Sequence, residues 1–358
     1  MRLTARADLN VGLICNIKCR FCYDLDHLNH EKGPSLEVLR QRMVILKSHG
    51  VDTIDITGGE ATVRNDLISI IRMVKEEFDI KKICLITNGF KLANSLYLKQ
   101  VIDAGVNEFL FSIHGPSSDL HDHLVDVKGS FERVIKALSE ASRLGVKLRV
   151  NTVVTAKNYD KVSEIAAMVS PFKIENFNLI LLNPILDARH RAHELSVKYS
   201  VAAPFLKDAI DKYAHCFEYF HVKFIPLCFM QGYEKHVMNL VQTSYIPYEW
   251  NYCLRTRLRR GKAIFGVATL AGLILRIDLR ALWGRSFQEI TRDAFLSLQE
   301  SGNKVKPLKC NSCKFSLICP GVCHVYKQAF GIDELIPVKG KKISSPCHFY
   351  EQGHINSL

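Results

Sequence analysis

Between residues 9 and 182 the chain alternates strand and helix six times, and this rhythm constrains the fold more than composition does. A first apolar run (Leu9, Val11, Leu13, Ile14) leads into Cys15. Leu36, Leu39, Met43 and Leu46 then fall at helical spacing, which predicts a helix over 36–49. Residues 51–56 alternate as a strand does and end at Gly58, Gly59 and Glu60. The same reading predicts strands at 82–87, 108–113, 147–155 and 176–182, and helices at 67–78, 96–104, 131–144 and 159–169. Such alternation implies parallel strands joined by right-handed crossovers. Six units are too few for a closed eight-stranded barrel. The expected class is α/β: an open, partial (β/α)6 barrel with a smaller cysteine-rich C-terminal domain. The expected divisions are a barrel core at 1–195, a connecting and mainly helical region at 196–250, and the second domain at 251–358.

Polar or glycine residues recur where the strands end: Gly58 to Glu60, Asn88, His114 and Asn183. Ligands of parallel α/β folds sit at the carboxyl ends of strands, so these positions and the segment after the first strand should line one site. That segment reads Cys15-Asn16-Ile17-Lys18-Cys19-Arg20-Phe21-Cys22. Three thiolates at C-x3-C-x2-C can hold three corners of a cubic iron–sulfur cluster and leave the fourth iron open, whereas structural clusters and zincs take four protein ligands.

The twelve cysteines are clustered, three near the start and four between Cys310 and Cys323, which argues for metal rather than disulfides in a reducing compartment. Met1 to Arg6 carries no apolar core of a secretory signal, and the longest apolar run, 263–275, stops at Arg276, short of a membrane span. A cytoplasmic protein with no membrane partner is expected. The net charge of +12 reads as a lysine-rich solvated surface. The densest basic run (Arg255, Arg257, Arg259, Arg260, Lys262) lacks the interleaved aromatics of a single-strand groove, so no nucleic-acid partner is expected.

C-x3-C-x2-C after a first strand, followed by Gly-Gly-Glu at the end of a second, resembles the radical S-adenosylmethionine (SAM) enzymes over residues 9–186. The resemblance implies that Cys15, Cys19 and Cys22 bind a [4Fe–4S] cluster whose open iron chelates the amino and carboxylate groups of SAM. Reductive cleavage then yields a 5′-deoxyadenosyl radical that abstracts hydrogen from a substrate, with an electron donor such as flavodoxin or ferredoxin. It further implies that Gly58, Gly59 and Glu60 bind the SAM amino group, the glycines permitting close backbone approach. Phe21 matches a position whose backbone meets the adenine. Asn88 falls in the SAM region, and Ser112 and Asn151 match positions that touch its carboxylate or ribose. Leu181 and Leu182 read as core, and Cys84 and Cys216 as packing residues. His114, His121 and His123 read as a solvated or locally hydrogen-bonded loop.

Cys310-x2-Cys313-x5-Cys319-x3-Cys323, followed by Cys347, looks like the C-terminal part of a SPASM or twitch domain. By that resemblance Cys310, Cys313, Cys319 and Cys347 hold one auxiliary [4Fe–4S] cluster, and Cys323 would serve another. Gly272 fits the upstream pattern, but Ile277 stands where a cysteine is expected, so a single auxiliary cluster is favoured over two. Cys228, Cys253 and Cys323 are left as spare thiols, any of which could supply a fourth ligand, and a zinc site is the alternative. SPASM-type extensions accompany peptide substrates, so a peptide or protein side chain is ranked ahead of a small metabolite (sugar, nucleotide or antibiotic precursor). Two further readings are an enzyme acting on tRNA and a non-catalytic iron–sulfur or zinc scaffold that binds RNA.

Overall fold

The computed structural model describes residues 5–30, 32–48, 50–183, 190–238, 304–344 and 346–349. Cys253, Gly272, Ile277, the basic run at 255–262 and the side chain of Cys347 lie outside the described residues.

Seven parallel strands form one sheet in the order β1 to β7: Arg6–Asn10, Thr53–Thr57, Lys82–Thr87, Glu108–Ser112, Lys147–Val154, Asn176–Leu181 and Tyr219–Lys223. The helices between them are α1 (Leu36–Ser48), α2 (Leu67–Arg72, running on into a π turn), α3 (Ser95–Ala104), α4 (Ser118–Val125), α5 (Ser130–Arg143), α6 (Val162–Val169), α7 (Ala192–Leu195) and α8 (Tyr199–Tyr213). Neighbours in sequence are neighbours in the sheet, so every right-handed crossover lays its helix on the same face. That is the winding of an open, partial barrel, as expected, with one strand more. The seventh, β7, pairs with β6 from within the stretch expected to be a connection. The first strand also begins earlier than its apolar run suggests, at Arg6, and the chain has already left the sheet by Gly12.

Each strand turns alternate residues to its two faces. On β5, Leu148, Val150, Thr152 and Val154 are buried beneath the helices. Helices such as α5 return Val134, Ala137, Leu138 and Ala141 to that layer. The other face carries Arg6, Asp8, Asp55, Glu108, Arg149, Asn151, Asn178, His221 and Lys223, which line a cavity of about 450 Å³. Burial, and then the Arg149 guanidinium, pull the Lys223 ammonium down to about 8, against Asp8 and Asp55. Asp8 is on β1 and Lys223 on β7, the two edges of the sheet. In a flat sheet six spacings of about 4.8 Å would keep them roughly 29 Å apart. Their interaction therefore shows that the sheet curls until its edges face each other.

Within this lumen Arg6 is bidentate to Glu108 (3.1 Å for each bond) and also pairs with Asp55. Arg149 Nε lies 2.7 Å from Glu108 Oε1, an ion pair off the hydrogen-bond line, and its terminal nitrogen lies 3.6 Å from Asp55. Burial would raise the Glu108 carboxyl, but Arg149 and Arg6 hold it below its ordinary value. Cys84 is buried as a packing residue should be, yet it sits among these charges, 3.7 Å from an Arg149 nitrogen. Asp55, Cys84 and Glu108 bring three ligand atoms within 4.8 Å of one another. Two guanidinium groups already offset the carboxylates, so this is an ion-pair network and not a cation site.

The C-terminal segment packs on the barrel's last units. A short antiparallel pair, β8 (Lys304–Val305) and β9 (Val322–Cys323), leads into α9 (His324–Phe330). Tyr326 stacks on Tyr199 of α8 (ring centres 4.2 Å apart), and its hydroxyl accepts from the Tyr199 N–H at 2.9 Å. Phe315, Ile318, Val322 and Leu335 join the same apolar core as the barrel.

Helix ends follow local chemistry. Asn94 Oδ1 accepts from the N–H groups of Leu96 (3.0 Å) and Tyr97 (3.2 Å) and so caps α3. Asn94→Ala is expected to cost about 1 kcal/mol, read as a lower urea midpoint at unchanged slope.

Candidate metal and cofactor site

The cysteine loop is held by backbone contacts on three sides. On the β2 side, Gly59 N–H donates to the Gly12 carbonyl and Glu60 N–H to the Ile14 carbonyl, both at 2.8 Å. These contacts explain the glycines. A Cβ on Gly58 would stand 2.2 Å from Gly12 O, and one on Gly59 2.4 Å from Ile14 O. Gly58 also has φ +144°. The close approach that the two glycines allow is to the cysteine loop itself. On a second side, Asn29 clamps the Cys15 backbone, accepting from its N–H (2.9 Å) and donating to its carbonyl (3.1 Å). On the third side, Lys18 N–H donates to Val125 O and Arg20 N–H to Leu124 O, while the Arg20 Nε–H reaches His123 O. The last turn of α4 thus carries the middle of the loop. Cys22 N–H closes a turn on Cys19 O at 2.9 Å.

Glu60 is buried, and both its oxygens are engaged. One accepts from Thr62 N–H, Thr62 Oγ1–H (2.6 Å) and Thr87 Oγ1–H (2.9 Å), the other from Asn88 N–H (2.6 Å). Burial nevertheless raises its carboxyl above the ordinary value. Its side chain therefore ties the β2 end to the β3 end. Asn88 extends the tie: its Oδ1 accepts from Phe90 N–H (3.0 Å), and its Nδ2 donates to Asn16 Oδ1 (2.8 Å). The Phe90 bond fixes the orientation of the Asn88 amide, and that in turn fixes Asn16. Asn16 Nδ2 is left buried with no partner among the described residues, one position from Cys15.

Burial pushes the Cys15 thiol up to about 11, and Glu60 and Cys22 add to the effect. Cys19 is raised too, first by burial and then by Cys15 and Cys22. Three thiols that repel one another as thiolates, beside a buried carboxyl and an unanswered amide donor, suit a cationic group carrying an acceptor oxygen. The residues fit a [4Fe–4S] cluster on Cys15, Cys19 and Cys22 with SAM beside it.

The other expected residues divide in two. Phe21 is buried with Leu124, Leu182 and Leu195, its ring edge-on to His114 at 4.7 Å, and forms an apolar shelf beside the loop. Ser112 is aligned with Asn151 on the next strand. Asn151 Oδ1 accepts from Asn178 Nδ2 (2.9 Å), and Asn178 Oδ1 lies 3.3 Å from His221 Nδ1. This row of amides belongs to the lumen, with no direct bond to the cysteine loop. Leu181 and Leu182 are core.

His114 and His121 are buried and locally hydrogen-bonded, one of the two roles expected of them, but His121 and His123 are on α4 and not in a loop. His121 Nδ1 accepts from His114 N–H, and His114 Nδ1 from Val153 N–H, both at 3.1 Å. Burial depresses both rings, His121 to about 4. They are neutral braces under the Phe21 shelf.

Of the later cysteines, Cys310, Cys313 and Cys319 line one small cavity together with Cys228, which stands on the turn after β7. Cys323 is not brought there: it sits at the start of α9, and its sulfur accepts from Tyr326 N–H at 3.3 Å. Its sulfur thereby caps α9. Asn16, Asn29 and α4 are the site features that sequence reasoning passed over, while Cys228 is one of three spare thiols among which the sequence does not choose.

A family profile described as "Radical SAM superfamily" matches residues 9–169. A curated relative named "Probable GTP 3',8-cyclase", from Metallosphaera sedula, is 32% identical over 186 residues, covering 50% of this chain and 56% of its own. One of the same name from Sulfurisphaera tokodaii is 29% identical over 209 residues, covering 57% and 65%. The chain thus spans little more than half the length of such relatives. Among solved structures, Streptococcus suis SuiB is 21% identical, with a TM-score of 0.47 over 59% of this chain and 47% of that one. The barrel winding and the pinned three-cysteine loop accompany this match: residues 9–169 of the chain are similar to the radical SAM superfamily.

Proposed function

We propose that this chain is a radical SAM enzyme acting on a small polar metabolite. The observation that carries the radical SAM reading is the three-cysteine loop pinned to the Gly58–Glu60 turn. When bound at Cys15, Cys19 and Cys22, a [4Fe–4S] cluster with SAM would supply a 5′-deoxyadenosyl radical able to take hydrogen from an unactivated C–H bond. The chain's own residues prepare the place. Asn29 and the end of α4 hold the loop's backbone, and Asn16 Nδ2 offers a donor to a carboxylate. Phe21 and His114 wall out water on one side.

Support for a small polar substrate comes from the names of the curated relatives, which point toward a nucleotide. The lumen cavity of about 450 Å³ is lined at the strand starts by Lys82, Asn107, Lys147 and Glu175, away from the cysteine loop, while Asn151 and Asn178 reach mid-strand toward it. A peptide or protein side chain becomes the second reading, favoured by the cysteine group at 310–323. Either requires an electron donor such as ferredoxin or flavodoxin. Among the described residues no helix is long and apolar enough to cross a membrane.

The test is anaerobic reconstitution with iron, sulfide, a reductant and SAM, with 5′-deoxyadenosine followed by chromatography. The wild type is expected to form it, and Cys22→Ala to lose at least about a hundredfold of the rate, since removing even a hydrogen-bond partner of a metal ligand typically costs about 10–100-fold and a ligand itself costs more. Equal product from both would remove the proposal. Adding nucleotides or peptides then ranks the two substrate classes by how far each stimulates turnover.

A further inference from the structure

We infer that Cys228 completes a four-thiolate site with Cys310, Cys313 and Cys319, and that this site binds a second [4Fe–4S] cluster. The inference does not depend on the substrate or on the radical reaction. It departs from the ligand set that the SPASM resemblance implies, in which Cys347 is the fourth thiolate, and it chooses Cys228 among the spare thiols.

The four sulfurs come from separate places and meet at one cavity. Cys228 lies on the turn Leu227–Phe229 that follows β7, Cys310 on the turn Leu308–Ser312, and Cys313 and Cys319 flank the next loop. The rest of the lining is Lys306, Phe315, Ser316, Gly321, Leu335 and Ile336. Phe315 and Leu335 are buried, so one wall is apolar and dry. Such a pocket is more than packed thiols, because backbone N–H groups face its sulfurs. Val338 N–H donates to Cys313 Sγ at 3.3 Å. Burial raises the Cys228 and Cys319 thiols, and the backbone of Ile336, and of Gly321 and Leu227, works against that rise. N–H···S bonds of this kind stabilise thiolate, and they set the properties of iron–sulfur centres. The Lys306 ammonium adds positive charge at the rim, bonded to the carbonyls of Ser316 (2.8 Å) and Cys319 (3.0 Å). The loop that makes this possible is tight: Gly321 has φ +87°, and a Cβ there would stand 2.3 Å from Val305 O.

The spacing favours a cluster over a single ion. Tetrahedral zinc with bonds of about 2.3 Å needs its sulfurs roughly 3.8 Å apart. Among the described residues, the set of three ligand atoms all within 4.8 Å of one another is Asp55, Cys84 and Glu108, and no three of these four sulfurs meet that limit. A cubane, with one thiolate on each of four irons, spreads its ligands wider. Four protein ligands leave no iron open, so this cluster cannot chelate a substrate. It fastens the C-terminal segment to the β7 edge of the barrel.

The experiment isolates the second cluster by replacing Cys15, Cys19 and Cys22 with alanine together. That protein, reconstituted anaerobically, should hold about four iron and four sulfide per chain. Adding Cys228→Ala should drop the count toward zero or leave a three-iron signal in electron paramagnetic resonance, while adding Cys347→Ala should leave the count near four. Circular dichroism checks that each variant is folded. Should Cys228→Ala unfold, Cys228→Ser replaces it and is expected to shift the resonance of the reduced cluster. Zinc in place of iron, a full cluster in Cys228→Ala, an unshifted resonance in Cys228→Ser, or loss in Cys347→Ala alone would each overturn the assignment. None of these readouts uses turnover, so failure here is distinguishable from failure of the radical SAM reading.

Discussion

Gly58→Ala is expected to destabilise the fold by about 4 kcal/mol and to abolish cluster loading at the three-cysteine loop. Two costs add. The backbone at φ +144° disfavours any residue with a Cβ, at about 1–2 kcal/mol. The new Cβ also meets the Gly12 carbonyl oxygen at 2.2 Å, and that atom belongs to the backbone and has no rotamer through which to retreat. Relief requires the cysteine loop to move off the β2 end, breaking the bonds from Gly59 and Glu60 N–H at about 1 kcal/mol each. The loss is a large fraction of a typical stability of about 5–15 kcal/mol. Gly129→Ala is the control. Gly129 also has a positive φ (+77°), but nothing lies within 4 Å of the added Cβ, so only the conformational cost of about 1 kcal/mol applies. Urea unfolding and iron content of both reconstituted variants decide the matter. A Gly58→Ala protein within 1 kcal/mol of the control, with its full iron, would show that the loop is positioned by something other than this latch.

The same latch shows what the residues disclosed and what they withheld. Strands 2, 3, 4 and 6 were legible because each is stopped by Gly, Asn or His, and the stops mark the functional rim, while strand 5 was legible from its alternation. β1 was misplaced because its alternation runs through Arg6, Asp8 and Asn10, charged or polar residues that face the lumen and so look like a loop. β7 (Tyr219–Lys223) was missed for the same reason: His221 and Lys223 point into the lumen, and only Phe220 and Val222 give the strand its apolar face. α4 was hidden by Asp119, Asp122 and two histidines, although Leu120, Leu124 and Val125 carry a helical spacing that could have revealed it. The cysteine triplet was readable because its spacing is local. The place of Cys228 was not, because its partners arrive from the far end of the chain and only tertiary packing pairs them. For the glycines close approach was predicted, and the structure adds that the loop's own carbonyls are among the groups they let in.

Lowering the pH from about 6.5 to about 4 is expected to remove about 3 kcal/mol of stability through His121, with His114 adding to the loss. Burial depresses His121 to about 4 even though Asp122 opposes the shift, and it also holds His114 well below its ordinary value, with His121 adding to the effect. An unfolded histidine titrates near 6.5. Above that pH both states are neutral and the pair exacts no proton cost. As the pH falls through the window, the unfolded chain binds protons that the folded chain refuses, so the equilibrium moves toward unfolding. The shift from 6.5 to about 4 corresponds to the 3 kcal/mol at 1.36 kcal/mol per unit. Glu60 works in the opposite sense: burial raises its carboxyl, so the folded state gains a proton before the unfolded one and is favoured as the pH drops. The total slope is a net of these, and the histidine part is isolated by a variant. His121→Gln cannot titrate but keeps an oxygen able to accept from His114 N–H. Urea unfolding of wild type and variant at about pH 7 and about pH 4.5 should show the wild type losing about 2 kcal/mol more than the variant, because the lower pH stops short of the full window. The consequence reaches the metal site, since α4 carries both His121 and the carbonyls of Leu124 and Val125 that hold the loop at Arg20 and Lys18. Equal losses in the two proteins would mean that the buried imidazoles take up protons without disturbing α4, and the brace assigned to them would have to be abandoned.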